Sequence, residues 1–262
     1  MPRIDVDGLR IAYERAGEGP PIVFLHGGVS DSREWRRQMD ALAGEYTVVA
    51  WDAPGNGRSE DPPESFRMPD YADCVAGLVR ALELDRPHVV GLSFGATLAL
   101  ELYRRHSDVP RSMALLGGYA GWAGSLPPEV VAERLAGVER DLAQSPETLA
   151  RSFLTTLLTD GAPAELANEL LAILVDLHPA GALAQAHAMA EADLRDVLPR
   201  IAVPTLLLYG EQDVRSPRTV AEELAAQIPG AELVFIRGAG HMLNMEAADR
   251  VNAELLRFLS AI

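Results

Sequence analysis

Lysine is missing altogether: the 23 Lys-plus-Arg positions of this 262-residue chain are all arginine. Without an ε-amine the chain cannot form a Schiff base with a carbonyl compound or with pyridoxal phosphate. Nor can it supply the phosphate-binding lysine of a P-loop or a kinase. Cysteine is nearly as scarce. Cys74 stands alone, which rules out an intrachain disulfide and a cysteine zinc cluster. Its setting, YADCVAGLVRALEL, is an amphipathic helical run in which it reads as a small buried hydrophobe. Cations are outnumbered by acids, 23 against 38, giving a formal charge of −15. Such a field repels phosphate backbones and anionic lipid, so no nucleic-acid or membrane partner is expected. No apolar run approaches the ~18 residues of a membrane span, and MPRIDVDGLRIAYER lacks the apolar stretch of a secretory signal. The expectation is a soluble cytoplasmic protein of a reducing compartment, monomer or homodimer, acting on a small molecule, with no metal.

What is present is an alternation of strands and helices. IDVDGLRIAYER reads as a hairpin around Asp-Gly. PPIVFLHGG, YTVVAWD, RPHVVGLSFG and SMALLGG are short apolar runs of the kind buried on both sheet faces. Between and after them SDSREWRRQMDALAGEY, PDYADCVAGLVRALEL and ATLALELYRRH carry helical spacing, the first with a Ser or Asp cap. This order implies right-handed crossovers and a mostly parallel sheet covered on both sides. The rhythm stops after Gly118. From about Leu126 to Val197 only helical patterns occur: PPEVVAERLAGVERDLA, PETLARSFLTTLLTD, PAELANELLAILVDL and AGALAQAHAMAEADLRDVL. Alternation resumes with VPTLLLYG, PRTVAEELAAQI, AELVFIRG and AADRVNAELLRFL. The division expected is an α/β core from residues 1–118 and 198–262, with residues 119–197 inserted as a helical cap.

The sharpest chemical signal is Gly91-Leu92-Ser93-Phe94-Gly95, set between an apolar strand and a helix. A strand-to-helix bend this tight crowds the backbone, so the positions two before and two after its centre must lack side chains. The serine oxygen is thereby pushed out above the carboxyl edge of the sheet, at the positive end of the new helix. A serine needs a base, and the base an orienter. Among six histidines, His88 starts a strand, His106 ends a helix, His178 and His187 lie in the inserted helices, and His26 belongs to a glycine turn. His241, in FIRGAGHMLNME, follows a buried strand in a glycine-bounded loop, where catalytic groups collect. For the orienter, LLLYGEQDVRSP offers Glu211 and Asp213; Asp213 is preferred, because Glu211 sits nearer the strand end and faces outward or caps a turn. The backbone amides of Phe94 and Gly28, the latter in LHGGVS, are the donors assigned to the oxyanion formed during attack.

With these residues in place the chain resembles the α/β-hydrolase superfamily over nearly its whole length. Besides HGG, GLSFG, GEQD and GAGH, Asp52-Ala53-Pro54-Gly55-Asn56-Gly57-Arg58-Ser59 is similar to the family's D-x-x-G-x-G-x-S turn, a structural device beside the nucleophile. The resemblance implies an eight-stranded, mostly parallel sheet with a helical cap after the sixth strand, a Ser93–His241–Asp213 triad and no cofactor. Ser93 disfavours the branches that use an aspartate nucleophile, haloalkane dehalogenases and epoxide hydrolases, and GLSFG differs from the GGSWG of proline iminopeptidases. Small capped carboxylesterases, enol-lactonases, carbon–carbon bond hydrolases and cofactor-free perhydrolases remain.

The activity this implies is acyl transfer to water, on a small or medium, mainly apolar ester or lactone. Tyr119 and Trp122, in GGYAGWAG, are candidates to line the pocket, or else ordinary packing between cap and sheet. The −15 charge disfavours polyanionic substrates unless local arginines reverse it. Two other classes compete: a hydrolase-fold receptor with little turnover, and a dinucleotide-binding enzyme reading GAGHML, which lacks the third glycine and the acidic residue about 20 positions on.

Overall fold

The computed structural model describes residues 1–262, the side chain of Pro146 excepted. A hairpin of β1 (Arg3–Val6) and β2 (Leu9–Ala16) opens the chain. Then follow β3 (Pro21–Leu25), α1 (Arg36–Leu42), β4 (Thr47–Trp51), α2 (Met68–Ala81), β5 (His88–Leu92), α3 (Phe94–Arg105) and β6 (Ser112–Leu116). Four helices come next: α4 (Pro128–Leu142), α5 (Pro146–Leu157), α6 (Ala164–Leu174) and α7 (Pro179–Glu191). The chain closes with β7 (Thr205–Gly210), α8 (Arg218–Gln227), β8 (Glu232–Ile236), α9 (Leu243–Glu246) and α10 (Ala248–Leu259).

The eight strands form one sheet in the order β1-β2-β4-β3-β5-β6-β7-β8. Only β1–β2 and β2–β4 pair antiparallel; the remaining ladders are parallel. Because side chains alternate across a strand, Val23 and Leu25 face one helical layer, with residues of α2, α3 and α8, while Ile22 and Phe24 face the other, with residues of α1 and α10. Every residue of β4, β5, β6 and β7 is buried, as apolar runs in a doubly covered sheet require. The inserted helices join the same two apolar clusters, through Phe153, Leu157 and Leu170 on one side and Met189 on the other.

Three local expectations differ. The helix reading for SDSREWRRQMDALAGEY begins as a 3-10 turn over Ser32–Trp35, capped by the Asp31 carboxylate accepting from the Arg33 N–H, before α1 proper. The run AGALAQAHAMAEADLRDVL stays helical only to Glu191; beyond it the backbone turns back so that the Leu194 N–H donates to the Ala120 carbonyl, with the Leu194 side chain fully buried. The strand AELVFIRG is an edge strand and only half-buried, since β8 has a single neighbour. Cys74 lies buried in α2, where burial pushes its thiol up to about 12, so it stays protonated and unreactive. No single helix is long and apolar enough to cross a membrane, and no cluster of metal-ligating side chains occurs among the described residues.

Candidate active site

The parallel strands β3, β5, β6, β7 and β8 end on one edge of the sheet, and the loops that leave them there hold Gly28, Ser93, Asp213 and His241. Between β5 and α3 the backbone reverses at Ser93, which adopts φ 52° and ψ −107°. A non-glycine residue there is strained, and strain of this kind is characteristic of a nucleophile elbow. The flanking glycines are required by contact: a Cβ on Gly91 would overlap the Gly95 carbonyl, and one on Gly95 the Leu25 carbonyl. The turn is tied to the sheet by the Ser93 N–H, which donates to the Leu116 carbonyl at 2.7 Å.

His241 Nδ1 donates to Asp213 Oδ2 at 2.8 Å, with both side chains almost wholly buried. The other Asp213 oxygen, Oδ1, accepts from the backbone N–H groups of Arg215 (2.8 Å) and Ser216 (2.9 Å). This fixes the carboxylate and leaves the imidazole Nε2 without a protein partner among the described residues. Gly117, at φ 53°, floors the pair: a Cβ there would stand 3.3 Å from the imidazole and 3.4 Å from Asp213 Oδ2. Glu211 is exposed. Ser93 and His241 border one cavity of about 70 Å³, partly open to solvent. The two are not hydrogen-bonded here; in serine–histidine pairs that bond often tightens only with substrate.

Gly28 and Phe94 border the same cavity. A Cβ on Gly28 would lie 3.8 Å from that of Phe94, so the two backbones run side by side. Neither amide has a protein acceptor among the described residues, and Phe94 opens a helix, whose first N–H groups are free by construction. His26 shapes this loop. Its Nδ1 donates to the Gly27 carbonyl at 2.7 Å and its Nε2 accepts from the Ala53 N–H at 2.9 Å, a neutral tautomer that burial favours by lowering the imidazole's affinity for a proton. Beneath the loop the fully buried Glu34 accepts from the Gly27 N–H at 3.1 Å. Burial raises its carboxyl to about 8 despite that bond.

The D-x-x-G-x-G-x-S turn braces the other side. Asp52 accepts from the Ser32 and Arg58 N–H groups, and Ser59 Oγ donates to the Asp52 carbonyl. Asn56 Nδ2 donates to the Ser30 carbonyl, and Asn56 Oδ1 accepts from Gln185 Nε2 of α7 at 2.6 Å. The inserted helices also reach the histidine loop: Glu246 accepts from the Gly240 N–H, from the Thr159 N–H and from Thr159 Oγ1, and the Met242 N–H donates to the Leu157 carbonyl.

Tyr119 and Trp122 both border the cavity and are buried. Most of the remaining wall is apolar, from Val29, Leu92, Phe153, Leu157 and Met189. Sequence reasoning missed Gln185, Arg134 and Arg215, which also border it. Arg215 stands two residues after Asp213 and so had a positional signal; Arg134 and Gln185 lie on inserted helices with none. Three other histidines are engaged elsewhere. His88 bonds Ser112, His106 bonds Asp73 and His178 bonds Asp61, each at 2.7 Å.

Comparison with known proteins points the same way. A family model described as the alpha/beta hydrolase fold matches residues 20–248. The AB hydrolase superfamily protein YisY of Bacillus subtilis is 27% identical over 255 residues, covering 94% of this chain and 93% of that protein. Among solved structures, a thermophilic esterase from Thermogutta terrifontis, determined with malate bound, superposes with a TM-score of 0.92 at 29% identity, covering 100% of this chain and 99% of the other. The enol-lactonase from Burkholderia xenovorans superposes with a TM-score of 0.89 at 28% identity, covering 99% and 100%.

Proposed function

Because the chain belongs to the α/β-hydrolase family of enzymes, we propose that it is a serine hydrolase that cleaves a small or medium ester or lactone through an acyl-enzyme. Ser93 Oγ attacks the carbonyl carbon while His241 Nε2 takes its proton, and Asp213 holds the imidazole with Nδ1 protonated and steadies the imidazolium. The Gly28 and Phe94 amides receive the negative oxygen. Collapse breaks the bond to the alcohol oxygen, which leaves with the proton from His241; in a lactone that hydroxyl stays attached to the acyl chain. Water, deprotonated by the same imidazole, then attacks the acyl carbon, returning Ser93 and releasing the acid. Tyr119 and Trp122 serve as walls against the acyl or alcohol group.

The observation that supports this reading best is the common cavity: a strained serine and the free nitrogen of a carboxylate-anchored imidazole border the same space as two unengaged amides. The names of the two structural relatives, an esterase and an enol-lactonase, fit ester or lactone substrates.

Ser93→Ala is the test. Turnover of p-nitrophenyl acetate and butyrate falls at least about a thousandfold while the melting temperature is kept, and a fluorophosphonate that labels the parent at Ser93 leaves the variant unlabelled. Hydrolysis surviving in Ser93→Ala overturns the nucleophile assignment. Stoichiometric labelling of a parent that turns over no ester, lactone, thioester or vinylogous diketone favours a receptor over an enzyme.

A further inference from the structure

The catalytic cavity of this strongly acidic chain has two guanidiniums in its wall and no carboxylate. Arg134 comes from α4 and Arg215 from the loop after β7. Both are half-buried and neither forms an ion pair among the described residues. They are held in place. Arg134 Nη1 donates to the Tyr119 hydroxyl at 3.2 Å and Nη2 to the Arg215 carbonyl at 3.0 Å, and the Tyr119 hydroxyl donates to that same carbonyl. The Arg134 guanidinium also lies 5.5 Å from the Tyr119 ring centroid and 5.7 Å from that of Trp122. Arg215 Nη1 donates to Thr156 Oγ1 at 2.9 Å, and the guanidinium sits 5.8 Å from the Phe153 ring. These contacts use one nitrogen of Arg215 and two of Arg134, so each fork keeps donors with no protein acceptor.

A guanidinium removed from water needs a counter-charge or a full set of acceptors. Asp213 acts on the Arg215 guanidinium, but its oxygens are already committed to two backbone amides and the His241 ring. No carboxylate lines the cavity to meet either guanidinium. We infer that Arg134 and Arg215 form an anion subsite, and that the substrate is a monoanion: an ester or lactone bearing a free carboxylate on the fragment that lies along the Tyr119–Trp122 wall. A planar carboxylate matches the guanidinium fork, and the mainly apolar remainder of the wall suits a short methylene chain bearing one charge rather than a dianion. This class of substrate rests on the serine-hydrolase reading; the anion subsite does not.

Two measurements separate them. Binding is read by calorimetry on Ser93→Ala, which needs no chemistry, with monomethyl glutarate and monomethyl adipate against methyl butyrate and methyl valerate. The monoanions bind at least about tenfold more tightly, and Arg134→Gln and Arg215→Gln each remove most of that advantage. Turnover of the same esters by the parent shows a matching preference in kcat/KM, and the anionic-to-neutral ratio falls in Arg134→Gln. Should Arg215→Gln fail to fold, Arg134→Gln and the parent's own preference carry the test. Equal affinity for charged and neutral esters, or a preference that survives both substitutions, overturns the subsite. Monoanion binding lost in the arginine variants, with no ester cleaved by the parent, upholds the subsite and defeats the hydrolase reading instead.

Discussion

At Asp213 the two carboxylate oxygens are not interchangeable. Oδ1 faces two N–H donors and Oδ2 faces the imidazole. In Asp213→Asn the amide oxygen takes the Oδ1 position, because an NH2 there would meet two donors. The NH2 is then aimed at His241 Nδ1, which must accept, moving the ring proton to Nε2 and removing the lone pair that the proposed mechanism needs to deprotonate Ser93. Ester turnover falls by about 10³–10⁴ with the melting temperature nearly unchanged; rates within tenfold of the parent would contradict the orienting role. Glu34 supplies a second prediction. Its raised carboxyl pKa, caused by burial, means the native state keeps a proton that the unfolded chain gives up above its ordinary 4.5. Stability from this group is therefore whole below that value and is lost as pH climbs to about 8. Glu34→Gln preserves the acceptor for the Gly27 N–H and cannot ionise. Thermal unfolding from pH 5 to pH 9 shows the parent losing ground to the variant, by on the order of 3–5 kcal/mol at the alkaline end. Parallel curves would show that the carboxyl ionises freely.

At the scale of elements, glycines divide by what surrounds them. Gly95→Ala drives a methyl into the backbone of β3 beneath the elbow, where neither strand nor helix can yield, and costs on the order of 2 kcal/mol or more. Gly137 sits inside α4, where an added Cβ would meet only the tip of Arg140, at 3.8 Å, so Gly137→Ala gains about 0.5–1 kcal/mol of helix propensity. Denaturant melts of the two variants should move in opposite directions. The same contrast explains what was legible in the sequence. The elbow, the hairpin and the central strands are written in local patterns: Gly91 and Gly95 two residues either side of Ser93, Asp-Gly between β1 and β2, unbroken apolar runs for β4 to β7. The meeting of Asp213 with His241 followed from both lying just past strand ends. Arg134 and Gln185 left no such mark, because a polar residue on a mixed helix face reads as solvated until packing turns it inward. Glu34 was hidden for the same reason: nothing adjacent to it in SREW distinguishes a carboxyl buried under the Gly27 loop from one on a surface turn.

For the molecule as a whole, the inserted helices are fastened to the sheet by ion pairs around their rim. Arg33 meets Asp176, Arg37 meets Glu169, and Arg67 meets Glu191, at 2.9, 2.7 and 3.0 Å. Each is partly exposed, worth little singly and screened by salt. Hydrogen exchange at about 1 M sodium chloride, where the screening length is only ~3 Å, should quicken in α6 and α7 while β3 to β7 keep their protection; uniform protection would show that apolar packing alone fixes the insertion. A further fastening is made of hydrogen bonds: Glu246 grips Thr159 and Gly240 together and Leu157 accepts from Met242. That shared knot makes the roof of the cavity and the loop of His241, the proposed general base, one mechanical part. A roof hinged wide open would pull on the His241 loop through these bonds. Engineers who graft a foreign roof onto this sheet should expect a dead catalyst unless Leu157 and Thr159 travel with it.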